Sequence, residues 1–334
     1  MLLTGDISAK GQRSYLLSRQ KKMKLLNKFI YGIITCSVFY GCTTGPGGKE
    51  EPTDTPTSGE VSIVVDESFQ QLFDTQIYTF ESLYNKAKVH VKYLPENEAL
   101  NRMINDSCKV VVMCRDLTTA ERKKFETANL FPRSVKIAED AIALVVNPEN
   151  KDSSLTVDKI RSILLGNDSL WSQVVNKSTL GKINIVFDNP GSANERYMKD
   201  TLLHGKPFSA NAFAVKSNPE VIDYVSKNKN AIGILSVNWI SDLDDPTTQD
   251  FLKKVNVLKI SKDSTEGVKP YQAYIKTKEY PFTRDVYMIN RQTRAGLGMG
   301  FVSFVAGNKG QLMILKAGLI PAIAPVRLVE INTK

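Results

Sequence analysis

The residues best suited to chemistry lie in one stretch, Val186-Phe187-Asp188-Asn189-Pro190-Gly191-Ser192-Ala193-Asn194-Glu195-Arg196-Tyr197. Ser192 and Asn194 carry hydrogen-bonding side chains, and Asp188 and Arg196 flank them with opposite charges. The run before it, Ile183 to Phe187, is apolar and β-branched and reads as a strand. Asn189-Pro190-Gly191 is a turn, because Pro presets φ and Gly accepts positive φ. Ser192 with Glu195 three residues on forms a capping box for a helix through Tyr197, Met198 and Leu202. A strand, a tight turn and a capped helix together aim free backbone N–H groups at an anion. Ser and Asn also cap ordinary strand-to-helix connections, so this stretch alone leaves both readings open.

The elements that must position these residues follow a regular order. Val61 to Val65 is a buried strand, and Asp66-Glu67-Ser68 turns it into a helix marked by Phe69, Leu72, Phe73, Ile77, Phe80 and Tyr84. A strand over Val89–Leu94 and a helix around Ala99, Leu100, Met103 and Ile104 come next. Lys109 to Met113 is a strand ending at Cys114-Arg115-Asp116, and Thr118 with Glu121 caps the following helix. This βαβαβα alternation predicts a doubly wound sheet with sites at the strand C-terminal ends. Two further strands, Val135–Ala138 and Ala141–Val146, are separated by Glu139-Asp140, where a crossover between lobes is expected. The second set comprises a Thr156-capped helix to Gly166, the opening strand and helix, a helix from Pro219 to Val225 and strands at Ala231–Leu235 and Val255–Ile260. Tyr274 to Ile289 returns the chain to the first lobe, and helices around Phe301–Val305 and Gln311–Lys316 finish it.

Composition narrows the function classes. The chain has 334 residues, 42% hydrophobic and 24% charged, enough for a globular body of two lobes. Its net charge of +9 suggests nucleic acid until the charge is located. Residues 1–41 hold seven Lys or Arg against Asp6, so +6 of the +9 sits there. For the remainder, net charge gives no support to a basic nucleic-acid face. That segment reads as an upstream extension to residue 22, then a positive Met23–Lys28, an apolar Phe29–Tyr40 too short to span a bilayer, and Gly41-Cys42. This order predicts a lipoprotein signal, with Cys42 lipidated and the mature protein exported. Thr43 to Gly59, rich in Gly, Pro and Thr, reads as a tether, and the body begins near Glu60.

The remaining motifs are less informative. Cys108 and Cys114 flank one strand and lie too far apart to bridge, roughly 20 Å if the strand is extended. Two histidines, His90 and His204, make no metal-ligand cluster, so no metal and no cofactor is expected. Gly296-Leu297-Gly298-Met299-Gly300 lacks the dinucleotide spacing and reads as a flexible loop into the helix at Phe301. Trp239, Tyr287 and Phe304 fit core positions. A secreted hydrolase would need a G-x-S-x-G elbow or an H-E-x-x-H helix, and the chain has neither.

From Val61 to Ile331 the chain resembles the periplasmic phosphate-binding proteins of ABC transporters, the PstS-like branch of type 2 solute-binding proteins. Asp66-Glu67-Ser68 resembles the family's first ligand turn, Val112 to Thr118 its strand-end segment, and Ser192-Ala193-Asn194 its S-G-T anion turn. Ala231 to Ile234 with Trp239, Tyr280 to Arg284, Phe301 to Phe304 and Gly310-Gln311 resemble its C-terminal half. Three positions depart from the pattern: Ala193-Asn194 for Gly-Thr, Asp188 where an Arg is common, and Cys114 for the strand-end Ser.

The resemblance implies an α/β, two-lobed type 2 periplasmic-binding-protein fold, each lobe a doubly wound mixed sheet flanked by helices and joined by hinge strands. It implies lobe 1 at 60–139 plus 277–334 and lobe 2 at 140–276. Ser68, Arg115, Ser192, Ala193 and Asn194 become the expected phosphate contacts, with Glu67, Asp140, Asp188 and Arg196 as further cleft residues. The implied function is capture of inorganic phosphate or a related oxyanion and delivery to an ABC permease, by a lipid-anchored monomer in the periplasm or at the cell surface, without a chemical step. The departures keep a second function open, the same fold serving as a sensor or binding module for a different small ligand.

Overall fold

A carboxylate seated against glycines shows where the folded body begins. The computed structural model describes residues 54–175, 178–263 and 266–323, and Pro52–Lys334 form a compact unit of their own. Asp54 Oδ1 accepts the Leu297 N–H at 2.8 Å, at the start of a helix. A Cβ at Gly300 would lie 1.8 Å from the Pro56 carbonyl oxygen, and one at Gly296 would lie 2.5 Å from the Asp54 carboxylate. The glycine run is thus a seat for the N-terminal backbone rather than a flexible loop. The packed body also starts ahead of Glu60, because Asp54 to Gly59 carry these contacts and the start of the first strand. Cys42, the expected lipidation position, and the expected signal segment lie outside the described residues.

The first lobe follows the expected alternation: β1 (Ser58–Asp66), α1 (Gln70–Leu83), β2 (Lys86–Leu94), α2 (Glu96–Ile104), β3 (Val110–Met113), α3 (Thr119–Thr127) and β4 (Arg133–Val146). The second lobe holds β5 (Ser154–Thr156), α4 (Val157–Leu165), α5 (Trp171–Val174), β6 (Asn184–Phe187), α6 (Ala193–Tyr197), β7 (Ala212–Ala214), α7 (Asn218–Lys227), β8 (Ala231–Ser236), α8 (Pro246–Lys254), β9 (Asn256–Val257) and β10 (Lys259–Ser261). After α9 (Gln272–Lys276), the strand β11 (Thr283–Asn290), α10 (Leu297–Ala306), α11 (Asn308–Lys316) and β12 (Ile320–Pro321) return to the first lobe.

One curled mixed sheet runs β2-β1-β3-β11-β4-β8-β6-β7. β1 is parallel to β2 and β3, and β6 is parallel to β7 and β8; through the antiparallel pairs β3–β11, β11–β4 and β4–β8 the two sets run in opposite directions, so each points its C-termini toward the hinge stretch of β4 from its own lobe. β4 is one strand of 14 residues where the sequence predicts two. It pairs with β11 from Arg133 to Ala141 and with β8 from Ile142 to Val146, passing through Glu139 and Asp140. Those two acids read as a break in one dimension. In three dimensions Arg284 takes Asp140 and Lys278 takes Glu139, so the ladder continues. The expected strand Val255–Ile260 is split in the other direction. β9 pairs with β4, and β10 leaves to pair with β5.

Apolar burial secures both lobes. Phe69, Phe73, Phe80 and Phe301 are fully buried where α1 and α10 meet over the first half of the sheet, and the Phe80 and Phe301 rings lie 5.2 Å apart. Each such ring contributes roughly 1.5–3 kcal/mol by leaving water. Cys108 and Cys114 flank β3 as free, buried thiols, as their spacing predicts. Among the described residues no helix is long and apolar enough to cross a membrane.

Candidate functional site

The strand ends and the hinge converge on a buried polar cluster between the lobes. β1 ends in Asp66, followed by the turn Glu67–Phe69, and β3 ends before Cys114 and Arg115. Across from them stand Asp188 after β6, Ser192 and Asn194 at the start of α6, Asn218 on α7, and Ser236 at the end of β8. Asp140 from β4 and Arg284 from β11 sit at the hinge. Asp66, Ser68, Asp140, Asp188, Ser192, Asn194, Asn218, Ser236 and Arg284 are all buried.

Arg284 organises the charge. Its Nε and Nη2 donate to Asp140 Oδ2 at 3.0 and 2.8 Å, with both side chains essentially without solvent. Ser236 Oγ donates to the same carboxylate at 3.1 Å. The third guanidinium nitrogen, Nη1, has no hydrogen-bond partner. Sequence reading passed over Arg284 as a ligand-site residue, yet a cue was present. Phe282 just before β11, then Arg284, Val286 and Met288 on it, alternate with the partly exposed Thr283, Asp285 and Tyr287, so a cation occupies the inward phase of a strand.

The carboxylates around Arg284 outnumber it. Asp66 Oδ1 accepts the Ser68 N–H at 2.9 Å, while its Oδ2 has no partner. Asp188 Oδ2 accepts from Asn194 Nδ2 at 2.8 Å and from Asn218 Nδ2 at 3.3 Å, while its Oδ1 has none. Ser68 Oγ, Asn194 Oδ1 and the Asn189 amide are also buried without a partner. Burial pushes the Asp66 carboxyl up to about 7, against the pull of Arg284. Burial likewise pushes Asp188 up to about 6, with the nearby Glu67 charge adding to the rise. Glu67 and Asp140 are raised by burial as well.

The lobes touch through three clasps around this cluster. Arg196 Nε and Nη2 donate to Glu96 at 2.5 and 3.3 Å. Glu67 Oε1 accepts the Asn218 N–H and Nδ2–H at 3.0 and 2.8 Å, and Asn238 Nδ2 donates to the Ser68 carbonyl at 3.1 Å. Gly191 has φ +76°, a left-handed backbone that demands glycine in the turn after β6, and the exposed Asn97 amide packs into the space its missing Cβ leaves.

The sequence-predicted residues therefore divide. Ser68, Ser192, Ala193, Asn194, Asp140 and Asp188 are brought together in the buried cluster, with Glu67 beside them. Ser192 Oγ accepts the Glu195 N–H at 3.1 Å as the expected cap, but the Glu195 carboxylate reaches the Gly191 N–H instead of closing the box on Ser192. Arg115 is committed elsewhere. It forks onto Glu121 at 2.7 and 2.8 Å and reaches Glu96 at 3.2 Å. Arg196 at a helix start does face an anion, and that anion is the protein's own Glu96. Glu96 lies 100 residues away in sequence, out of reach of any local pattern. Both histidines are exposed, so neither backs Ser68 or Ser192 as a base.

A family model described as a PBP superfamily domain matches residues 50–309. The phosphate-binding protein PstS of Borreliella burgdorferi is 24% identical over 268 residues, covering 78% of this chain and 89% of that protein. PstS of Staphylococcus aureus strain COL is 24% identical over 201 residues, covering 59% and 58%. An ABC-type phosphate transport receptor from Vibrio cholerae superposes with a TM-score of 0.61 at 18% identity, covering 79% of this chain and 100% of the other. The structure of PstS from Borrelia burgdorferi gives a TM-score of 0.51 at 22% identity, covering 79% and 99%. At these identities the superpositions establish the two-lobed fold.

Proposed function

The chain belongs to the PBP superfamily, and on that premise we propose that it is a lipid-anchored solute-binding protein that captures phosphate, or a related oxyanion, between its lobes for delivery to an ABC permease. One observation carries the reading. The interlobe cluster buries an unspent guanidinium N–H on Arg284 beside the Asp66 and Asp188 carboxylates, with the Ser68 and Ser192 hydroxyls lying against those acids. A purely anionic ligand satisfies only the donors. A hydrogen-bearing phosphate satisfies both, because its P–O⁻ oxygens accept from Arg284 and Ser68 while its P–OH groups donate to carboxylates. The expected lobe division, 60–139 plus 277–334 and 140–276, is kept with lobe 1 extended back to Asp54, the hinge lying within β4, which exchanges β11 for β8 between Ala141 and Ile142. Closure then proceeds about Asp140 and Arg284 by hinge motion.

The direct test is calorimetric titration of the protein from Pro52 on, refolded to strip carried-over ligand, with phosphate and with sulfate. Phosphate is expected to bind one to one. Sulfate, which carries no proton at neutral pH, is expected to bind at least about 100-fold more weakly, because it sets a lone pair against a buried carboxylate. Equal affinity for the two anions would remove the carboxylate from the recognition scheme. The acid excess itself favours a second reading, a different small ligand in the same cleft, and absence of phosphate binding would select it.

The anchor is proposed at Cys42, on the order of charged, apolar, Gly-Cys residues before it. Cys42→Ala is expected to move the full-length protein from the detergent phase to the aqueous phase on cloud-point partition. Retention in detergent would transfer the anchoring role to the apolar segment before Cys42.

A further inference from the structure

We propose that Glu96 and Arg196 are an affinity-determining pair of the phosphate site, a latch across the lobe seam that sets the rate of ligand release without touching the ligand. This rests on the phosphate-capture reading and deepens it. Glu96 opens α2 in lobe 1, and Arg196 stands on α6 in lobe 2. Arg196 Nε and Nη2 reach the two Glu96 oxygens at 2.5 and 3.3 Å, so one fork joins the lobes. Among the described residues two other ion pairs join them. Asp140 and Arg284 meet at the hinge, where opening does not part the lobes. Lys316 and Asp244 stand 3.8 Å apart as exposed side chains, and pairs of that kind contribute little.

The carboxylate is oriented by lobe 1 alone. The Cys114 N–H donates to Glu96 Oε2 at 3.0 Å, and Arg115 Nε donates to Oε1 at 3.2 Å. The Glu96 side chain is 3% exposed and that of Arg196 27%, so solvent screens this fork less than a surface pair. Both halves of the latch adjoin the buried cluster. Ser192 caps α6, and Asn194 stands two residues before Arg196 on that five-residue helix. A ligand held by Ser192 and Asn194 therefore fixes the element that carries Arg196. On the other lobe Cys114, whose N–H orients Glu96, follows β3 beside the Asp66 end of β1.

The pair also lies across the way out. A surface groove of about 500 Å³ follows the lobe seam, with Glu96, Asn97 and Arg115 on one side and Gly191, Ser192 and Arg196 on the other. Ser192 belongs both to this groove and to the buried cluster, so here the cleft meets solvent. Parting the lobes at this point breaks the fork. The fork exists only in the closed form, so it raises the closed fraction, and apparent affinity scales with that fraction.

The test uses the protein from Pro52 on, stripped of ligand, with substitutions at Arg196, because Glu96 also serves Arg115 and the Cys114 N–H within lobe 1. Arg196→Met is expected to weaken phosphate binding about tenfold through faster dissociation, with an unchanged circular dichroism spectrum. Arg196→Lys should recover part of the loss. Arg196→Glu sets like charges together and should weaken binding about 100-fold. Added salt should weaken the wild-type protein more than Arg196→Met, a difference that a merely structural role would not produce. Wild-type affinity and dissociation rate in Arg196→Met and Arg196→Glu would overturn the latch. If the wild-type protein binds no phosphate, the capture reading falls, and small-angle scattering of the ligand-free proteins decides the latch alone. A larger radius of gyration in Arg196→Glu than in wild type then supports it, and an equal radius overturns it.

Discussion

Replacing Arg284 with methionine is expected to abolish ligand binding and to lower the unfolding temperature by about 10 °C or more. The substitution removes the unspent Nη1–H and also strips Asp140 of its partner in a site without solvent. A buried carboxylate left unpaired costs roughly 3–5 kcal/mol. In a domain of this size each kilocalorie is worth about 2–4 °C. Loss of binding by this variant alone is ambiguous, because misfolding has the same effect. Arg284→Met with Asp140→Asn separates the two causes, since the second change removes the stranded charge. The double variant is expected to recover most of the stability and none of the binding. If it binds as tightly as the wild-type protein, Arg284 is a hinge strut and does not contact the ligand.

Asp188→Asn is expected to raise stability at neutral pH and to leave it unchanged near pH 4. Burial lifts the Asp188 carboxyl from 3.8 to about 6 in the folded protein. The folded state therefore holds this proton more tightly than the unfolded chain. Its contribution favours folding at low pH, declines as pH rises from about 4 to about 6, and becomes a full penalty above that. A shift of this size corresponds to roughly 3 kcal/mol, or several degrees in unfolding temperature. The charged groups facing Asp188 are Glu67, which raises its pKa, and Arg284, which lowers it. Asn keeps the oxygen that Asn194 and Asn218 bond and places an amide where the unpartnered Oδ1 stands. Thermal unfolding of both proteins across pH 4 to 8 is the measurement. A difference that stays constant with pH would mean that Asp188 does not titrate in the folded state. Because the new amide offers a donor in place of an acceptor, the same variant should also narrow the preference for phosphate over sulfate.

How much of this was legible beforehand depended on the range of the interaction involved. The strands around Val61–Val65, Val110–Met113 and Ala231–Leu235 were readable because buried parallel strands are unbroken apolar runs. The Thr118, Thr156 and Ser192 caps were readable because a cap and its target lie three residues apart. Arg115 and Arg196 were drawn toward the ligand by their positions at a strand end and a helix start. Glu121, six residues after Arg115, is a local partner, but Glu96, which holds both arginines, comes from another element and only assembly of the fold brings it near. Arg284 was hidden for the converse reason, since nothing next to it in sequence asks for a cation.

The order of apolar runs, caps and turns by itself determined that this chain folds as alternating strands and helices in two lobes, with its sites at the strand ends. Those features depend on periods of two to four residues and are written locally. The tertiary structure decided that β4 continues through Glu139 and Asp140, that the glycine run seats the N-terminal backbone, and that one guanidinium stands among a surplus of carboxylates at the hinge. Burial and charge pairing between distant residues set these outcomes, because a carboxylate's protonation and partners are fixed by what packs against it and not by its neighbours in the chain.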